Sequence, residues 1–228
     1  MPRPTLLAVS HGTADVDGAR AIAELVARVR EALPDVEVRE AFVDVQHPDA
    51  AELAPLIEGP LVIVPLLLSS GFHVHHDLHG IAAARPHTVV ADPLGPDERL
   101  ADALAAHLEQ LAAPSDVPVI LAVAGSRDPR SLTDAEGMAA LLSTRTHRKV
   151  HLAYLAAREP GLPTVLAQHP DAVVSTFLLA RGYFFDLALR RAAPRPITPP
   201  LLDGESVPPA LVDLVVARYL DAEGRLAH

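Results

Sequence analysis

Three ionisable residues in the first half of this chain, His11, Asp44 and His73, have the chemistry to hold and release a divalent metal ion. Two imidazoles and one carboxylate make a nitrogen–oxygen donor set that suits Co²⁺, Ni²⁺, Zn²⁺ or Fe²⁺ and leaves coordination positions open for a substrate. A neutral imidazole also accepts protons near neutral pH, so the same groups can serve as bases. A carboxylate offsets part of the ion's charge, or orients an imidazole from behind. Taken singly, each residue has a plainer role. His11 before Gly12 fits a turn, Asp44 a solvated loop acid or helix cap, and His73 the start of a polar helix that also carries His75, His76 and His79. A comparison between the two halves of the chain joins them.

Apolar runs of strand length alternate with amphipathic stretches throughout. Thr5–Val9, Glu37–Val45, Leu61–Leu68 and Thr88–Ala91 read as strands, separated by helices over Asp17–Leu33, Pro48–Ile57 and a stretch starting near His75, with Asp97–Leu111 following. Ala112–Pro118 interrupts the pattern with Pro114 and Pro118, and the order then begins again. Val119–Val123, Val150–Leu155, Val173–Leu179 and Pro196–Leu201 read as strands, and Leu132–Leu142, Leu162–His169, Phe184–Ala193 and Pro209–Leu220 as helices. Continuously apolar strands with helical crossovers predict parallel sheets covered on both faces. The expected fold is α/β: two similar βα-repeat domains, 1–113 and 117–228, each a small parallel sheet flanked by helices.

Local matches point to an internal duplication. Ala8-Val9-Ser10-His11-Gly12-Thr13 corresponds to Leu121-Ala122-Val123-Ala124-Gly125-Ser126, and Glu40-Ala41-Phe42-Val43-Asp44 to Leu152-Ala153-Tyr154-Leu155-Ala156. Leu67-Leu68-Ser69-Ser70-Gly71-Phe72-His73 corresponds to Leu178-Leu179-Ala180-Arg181-Gly182-Tyr183-Phe184, and the three displacements are 113, 112 and 111 residues. The copies differ where chemistry would sit. His11 becomes Ala124, Asp44 becomes Ala156 and His73 becomes Phe184, while Gly125 and Gly182 keep the turns. All three ionisable residues fall at the C-terminal ends of strands, the edge where open α/β sheets bind ligands. The joint loss in the second copy argues for one shared site in the first.

Composition narrows the rest. The formal net charge of −10 over 228 residues argues against nucleic acid as a partner. With no cysteine there is no disulfide, thiolate zinc site or iron–sulfur cluster. Trp is absent and aromatics make up 4%, so a base-stacking platform is not expected. The sequence holds no GxGxxG, no GxxxxGK[ST] and no GxSxG elbow, and an organic cofactor is not expected. The longest apolar run, Leu61–Leu68, is too short to span a bilayer, and no secretory pattern is visible, so a cytoplasmic monomer or homodimer with no membrane partner is expected. A second metal hypothesis comes from His73-Val74-His75-His76-Asp77-Leu78-His79, where His75 and His79 share one face if the segment is α-helical.

Four motifs carry a resemblance. His11-Gly12-Thr13 follows the first strand, Phe42-Val43-Asp44 the second, the run from Pro65-Leu66-Leu67-Leu68-Ser69-Ser70-Gly71-Phe72-His73 to Val74 the third, and Pro93-Leu94-Gly95 the fourth. Together they resemble the class II chelatases, in particular the long, internally duplicated sirohydrochlorin cobaltochelatases and ferrochelatases. The resemblance implies a bilobal fold with an acidic tetrapyrrole in the cleft between the halves. It further implies a lyase of siroheme or cobalamin biosynthesis whose metal, Co²⁺ or Fe²⁺ with Ni²⁺ as a third candidate, is a substrate. It assigns His11 and His73 as the catalytic metal-binding pair and Asp44 as the acidic ligand, where many members carry Glu. Ser10, Gly12, Ser69, Ser70, Gly71 and Phe72 of the motif loops are then expected at the tetrapyrrole. Its carboxylates call for basic groups, and Arg127, Arg130 and Arg181 stand on the second half's equivalent loops. Two alternatives remain: a non-catalytic metal or tetrapyrrole carrier using the same residues, and an unrelated two-lobed α/β binding module in which the three would not converge.

Overall fold

The central apolar runs, Thr5–Ser10, Leu61–Pro65, Val119–Val123 and Val173–Phe177, become strands buried along their whole length, and alternate residues pack into different cores. In the computed structural model, residues 3–71, 73–111, 114, 116–204 and 206–226 are described, the side chains of 73–75 excepted. The first repeat comprises β1 (Thr5–Ser10), α1 (Val16–Ala32), β2 (Val38–Phe42), α2 (Ala50–Leu53), β3 (Leu61–Pro65), a π-helical segment (His73–Leu78) running into α3 (His79–Ala84), β4 (Thr88–Val90) and α4 (Glu98–Gln110). The second comprises β5 (Val119–Val123), α5 (Pro129–Thr146), β6 (Val150–Tyr154), α6 (Leu162–Gln168), β7 (Val173–Phe177), α7 (Tyr183–Ala192) and α8 (Pro209–Leu226). All pairing is parallel, in the order β2-β1-β3-β4 in one sheet and β6-β5-β7 in the other. The expected α/β architecture with two similar parallel sheets is what forms.

Three departures have physical reasons. The expected strand Glu37–Val45 stops at Phe42, because Val45 adopts a positive φ of 54° and turns the chain. Pro196–Leu201 is not a strand but a single bridge, Val174 to Ile197; Pro194, Pro196, Pro199 and Pro200 have no N–H to offer a ladder. The helix expected near His75 opens instead as a π-helical segment over His73–Leu78. The His75 side chain, on which the His75–His79 metal hypothesis depends, lies outside the described residues.

The helices exchange partners across the repeats. Leu7, Val9, Leu61 and Ile63 join the short helices α2 and α3 in one small core, and Ile120, Ala122 and Val174 join α6 and α7 in another. The opposite faces, Leu6, Ala8, Val62 and Val64 of one sheet and Val119, Leu121 and Val173 of the other, share a single core with α1, α4, α5 and α8. α4, the last helix of the first repeat, packs on α5 and β7; α8, the last of the second, packs on α1, α4, β3 and β4. Sequence order therefore does not partition the packing, and the helical layer between the sheets belongs to both.

His107 on α4 faces this layer, 8% exposed, and its Nδ1 has no partner among the described residues. Burial pushes its pKa below the ordinary histidine value, against an opposing pull from Asp203. The folded state thus prefers the neutral ring. Stability is full above the unfolded value of about 6.5 and declines as the pH falls from there through the depressed folded value. The melting temperature is expected to drop between pH 7 and pH 5, and His107→Leu to shrink that drop. Identical pH profiles for the two proteins would exclude His107 as the source.

Candidate metal and substrate site

β2, β1 and β3 are neighbours and parallel, so the loops carrying Asp44, His11 and His73 leave one edge of one sheet side by side. His11 follows the last residue of β1. Gly12 after it has φ +88°, and a Cβ there would lie 2.6 Å from the Asp44 carbonyl oxygen, so only glycine lets the two loops close. The Val43 N–H donates to the Ser10 carbonyl, 3.1 Å, extending the ladder one step to Asp44. The second repeat preserves this turn: Gly125 has φ +91° against the Ala156 carbonyl, and Ala157 matches Val45 with φ 63°. The scaffold of the site is thus present twice and its chemistry once.

His11 Nε2 and Asp44 Oδ2 are 3.9 Å apart, with side chains 46% and 61% exposed. That separation is too long for a hydrogen bond. It suits two ligands of one ion, since bonds of ~2.1 Å meeting at a tetrahedral angle place donor atoms ~3.4 Å apart, within reach of a small side-chain rotation. Asp44 Oδ1 meanwhile accepts the Val45 N–H at 2.8 Å, leaving Oδ2 toward the histidine. Val45 is a β-branched residue held at positive φ and 54% exposed. Ala157 holds the same conformation in the second repeat, so the strain belongs to the duplicated turn.

His73 opens the π-helical segment, but its side chain, like Phe72 altogether, lies outside the described residues. Among the described residues no group of three His, Cys, Asp or Glu side chains is close enough to hold a metal. Ser69, Ser70 and Gly71 are half-buried on the same loop. Ser10 is 1% exposed, its hydroxyl buried with no partner among the described residues, so it sits behind the site rather than on the surface where a macrocycle was expected to meet it. In the second repeat Ala124 and Phe184 pack against the outer core there, and Ala156 is exposed. Arg127 and Arg181 are exposed, Arg181 with its guanidinium 5.4 Å from the Phe185 ring. Arg130 is paired with Asp128 through two bonds of 3.0 and 2.7 Å.

Two braces went unseen in the sequence. The Thr13 N–H donates to Gln46 Oε1 at 2.9 Å, tying the His11 turn to the Asp44 loop. Arg158 stands at the equivalent position in the second repeat, where its Nε donates to the Ser126 carbonyl at 2.5 Å. The duplication offset pairs Gln46 with Arg158, and that pairing was the available signal.

The facing edges of the two sheets meet through equivalent loops. Thr13 Oγ1 donates to the Arg181 carbonyl at 3.4 Å, and Gly71 approaches Ser126 Oγ. Gly18, in the first turn of α1, presses so closely on the Arg181 carbonyl that a Cβ would collide with its oxygen and lie 3.0 Å from its carbon. Alanine in a helix normally gains up to ~1 kcal/mol over glycine, but forced overpacking costs ~1–3 kcal/mol. Gly18→Ala is therefore expected to destabilise the fold by about 1–2 kcal/mol in urea unfolding. A gain in stability would show that the loops do not touch. A separate hollow of about 710 Å³ runs along α1 from Arg20 to Ala32, away from His11; its Arg28 is paired with Glu24 and Glu31.

A sequence model of the CbiX family matches residues 5–111 and again 118–227. The chain belongs to the CbiX family. The two matches fall on the two repeats, as the duplication requires. Among solved structures, SirB from Bacillus subtilis with Fe³⁺ superposes with a TM-score of 0.81 at 19% identity, covering 98% of this chain and 96% of that one. The sirohydrochlorin chelatase SirB from Bacillus subtilis subspecies spizizenii, in complex with cobalt, gives 0.81 at 20% identity over 98% and 96%. A CbiX described as the terminal enzyme of siroheme biosynthesis in denitrifying bacteria gives 0.69 at 20% identity over 93% and 98%. No sequence among curated proteins matches significantly. The fold of this CbiX-family chain is that of these proteins along nearly its whole length. No helix among its described residues is long and apolar enough to cross a membrane.

Proposed function

We propose that this CbiX-family protein inserts a divalent metal, Co²⁺ or Fe²⁺, into sirohydrochlorin or a closely related acidic tetrapyrrole. The observation that carries the reading is the His11–Asp44 pair at the sheet edge, 3.9 Å apart and matched by alanines in the second repeat. The two SirB structures, with Fe³⁺ in one and cobalt in the other, add that this fold accommodates such ions. Insertion replaces two pyrrole N–H protons by one M²⁺. His11, Asp44 and His73 hold the partly dehydrated ion weakly enough to release it, and the imidazoles accept the protons that leave the ring. Arg127 and Arg181, on loops of the opposite lobe, meet the carboxylates of the macrocycle.

The test is to mix purified protein with sirohydrochlorin and Co²⁺, Fe²⁺ or Ni²⁺ in turn and follow the absorbance change of metallation. Rates above the uncatalysed background support the reading. Stoichiometric binding of metal or tetrapyrrole with no acceleration would make the protein a carrier instead.

A further inference from the structure

The loop that delivers His73 follows β3 from Leu66, and three of its described residues are held by hydrogen bonds. Leu66 donates to the Val9 carbonyl and Leu67 accepts from the Leu94 N–H, both near its start. Beyond them, the Ser70 N–H donates to Asp134 Oδ2 at 2.6 Å, and the acceptor comes from the other repeat. Asp134 lies in the second turn of α5, a helix of 18 residues anchored by buried Ser131, Ala135 and Met138. A short bond to an ionised carboxylate is about twice as strong as a neutral one, and its base is rigid. Asp134 has no ion pair among the described residues that would explain it otherwise.

The duplication sharpens the point. The equivalent of Asp134 in the first repeat is Ala21, and the equivalent of Ser70 is Arg181. The related contact across the repeats, at the Arg181 carbonyl, is made by Gly18 packing and by a long neutral hydrogen bond from Thr13 Oγ1, 3.4 Å. Of these two contacts between the repeats, the one at the loop leading to His73 is the one made to a carboxylate.

We propose that Asp134 is a positioning residue: the silent repeat uses it to fix the His73 loop, so that the metal site is completed across the cleft. This rests on the function proposed above, and two readouts separate the ideas. Hydrogen exchange of the 69–73 amides, in the intact protein without metal, tests the brace alone. It is expected to quicken at least tenfold in Asp134→Ala and to stay near wild type in Asp134→Asn, whose side-chain oxygen still accepts the Ser70 N–H. Co²⁺ insertion into sirohydrochlorin tests its consequence. A displacement of about 1 Å can cost ~100-fold in rate, so kcat is expected to fall ten- to a hundredfold in Asp134→Ala with KM for the tetrapyrrole little changed, and Asn to restore it within about threefold. Unchanged exchange and rate in Asp134→Ala would overturn the proposal, as would an Asn variant as impaired as Ala. Should Asp134→Ala not fold, Asp134→Ser, whose side chain is too short to reach the Ser70 N–H, takes its place and is expected to give the same pattern. If wild type inserts no metal, the exchange result still decides the brace.

Discussion

His11→Ala and His73→Ala are each expected to remove metal insertion almost entirely while leaving the fold intact. His11 sits on a strand-end loop with its side chain about half exposed, so its truncation removes little buried surface, and His73 opens the π-helical segment after β3. Each loss deletes an ion ligand and a proton acceptor together, and the neighbouring donor cannot close the gap. Asp44→Ala separates two roles. Loss of a residue that orients a ligand typically costs ~10–100-fold in affinity or activity; a deficit as deep as that of the histidine variants would make Asp44 a direct ligand. Insertion is also expected to weaken as the pH is lowered, because a protonated imidazole neither binds an ion nor accepts a pyrrole proton. The measurement is the initial rate of Co²⁺ insertion against uncatalysed background, with circular dichroism confirming the fold. A double variant His11→Ala/His73→Ala that retains the wild-type rate would sink the mechanism.

The sequence made the repeats legible because parallel strands buried on both faces read as apolar runs, and because Gly12 and Gly125 mark the same turn. It also marked His11 and Asp44, since a duplicated scaffold exposes chemistry by where the copies differ. What it hid has physical causes. Gln46 and Asp134 are ordinary polar residues until folding brings them to backbone N–H groups on other loops. Ser10 looked like a motif residue, but the period of the strand turns it inward. The π-helical winding at His73–Leu78 gave no periodicity that a helical pattern could reveal.

The last helix shows most clearly what a repeat cannot say. α8 belongs to the second repeat in order, yet Leu211, Leu214, Val215, Tyr219 and Ala222 are buried completely, and the helix packs on β3 and β4 of the first sheet. Tyr219 donates its hydroxyl to the Pro4 carbonyl at 2.8 Å, and burial pushes its pKa up to about 12. Arg218 Nε donates to the Pro93 carbonyl at 2.8 Å, and Arg225 Nη2 to the Val90 carbonyl at 3.1 Å. An apolar helix face does not record which of two equally apolar sheets it will cover. Truncating a buried leucine costs ~2–5 kcal/mol and a buried aromatic ~3–5 kcal/mol, so Leu214→Ala and Tyr219→Ala are expected to lose that much in urea unfolding. Gly224→Ala on the same helix has open space around its Cβ and is expected to gain up to ~1 kcal/mol. Because one core joins α8 to both sheets, the two large losses should appear in a single cooperative transition and lower the midpoint for the first repeat as much as for the second. Two separate transitions, with only the later residues destabilised, would mean that the repeats fold independently and that α8 stabilises only its own.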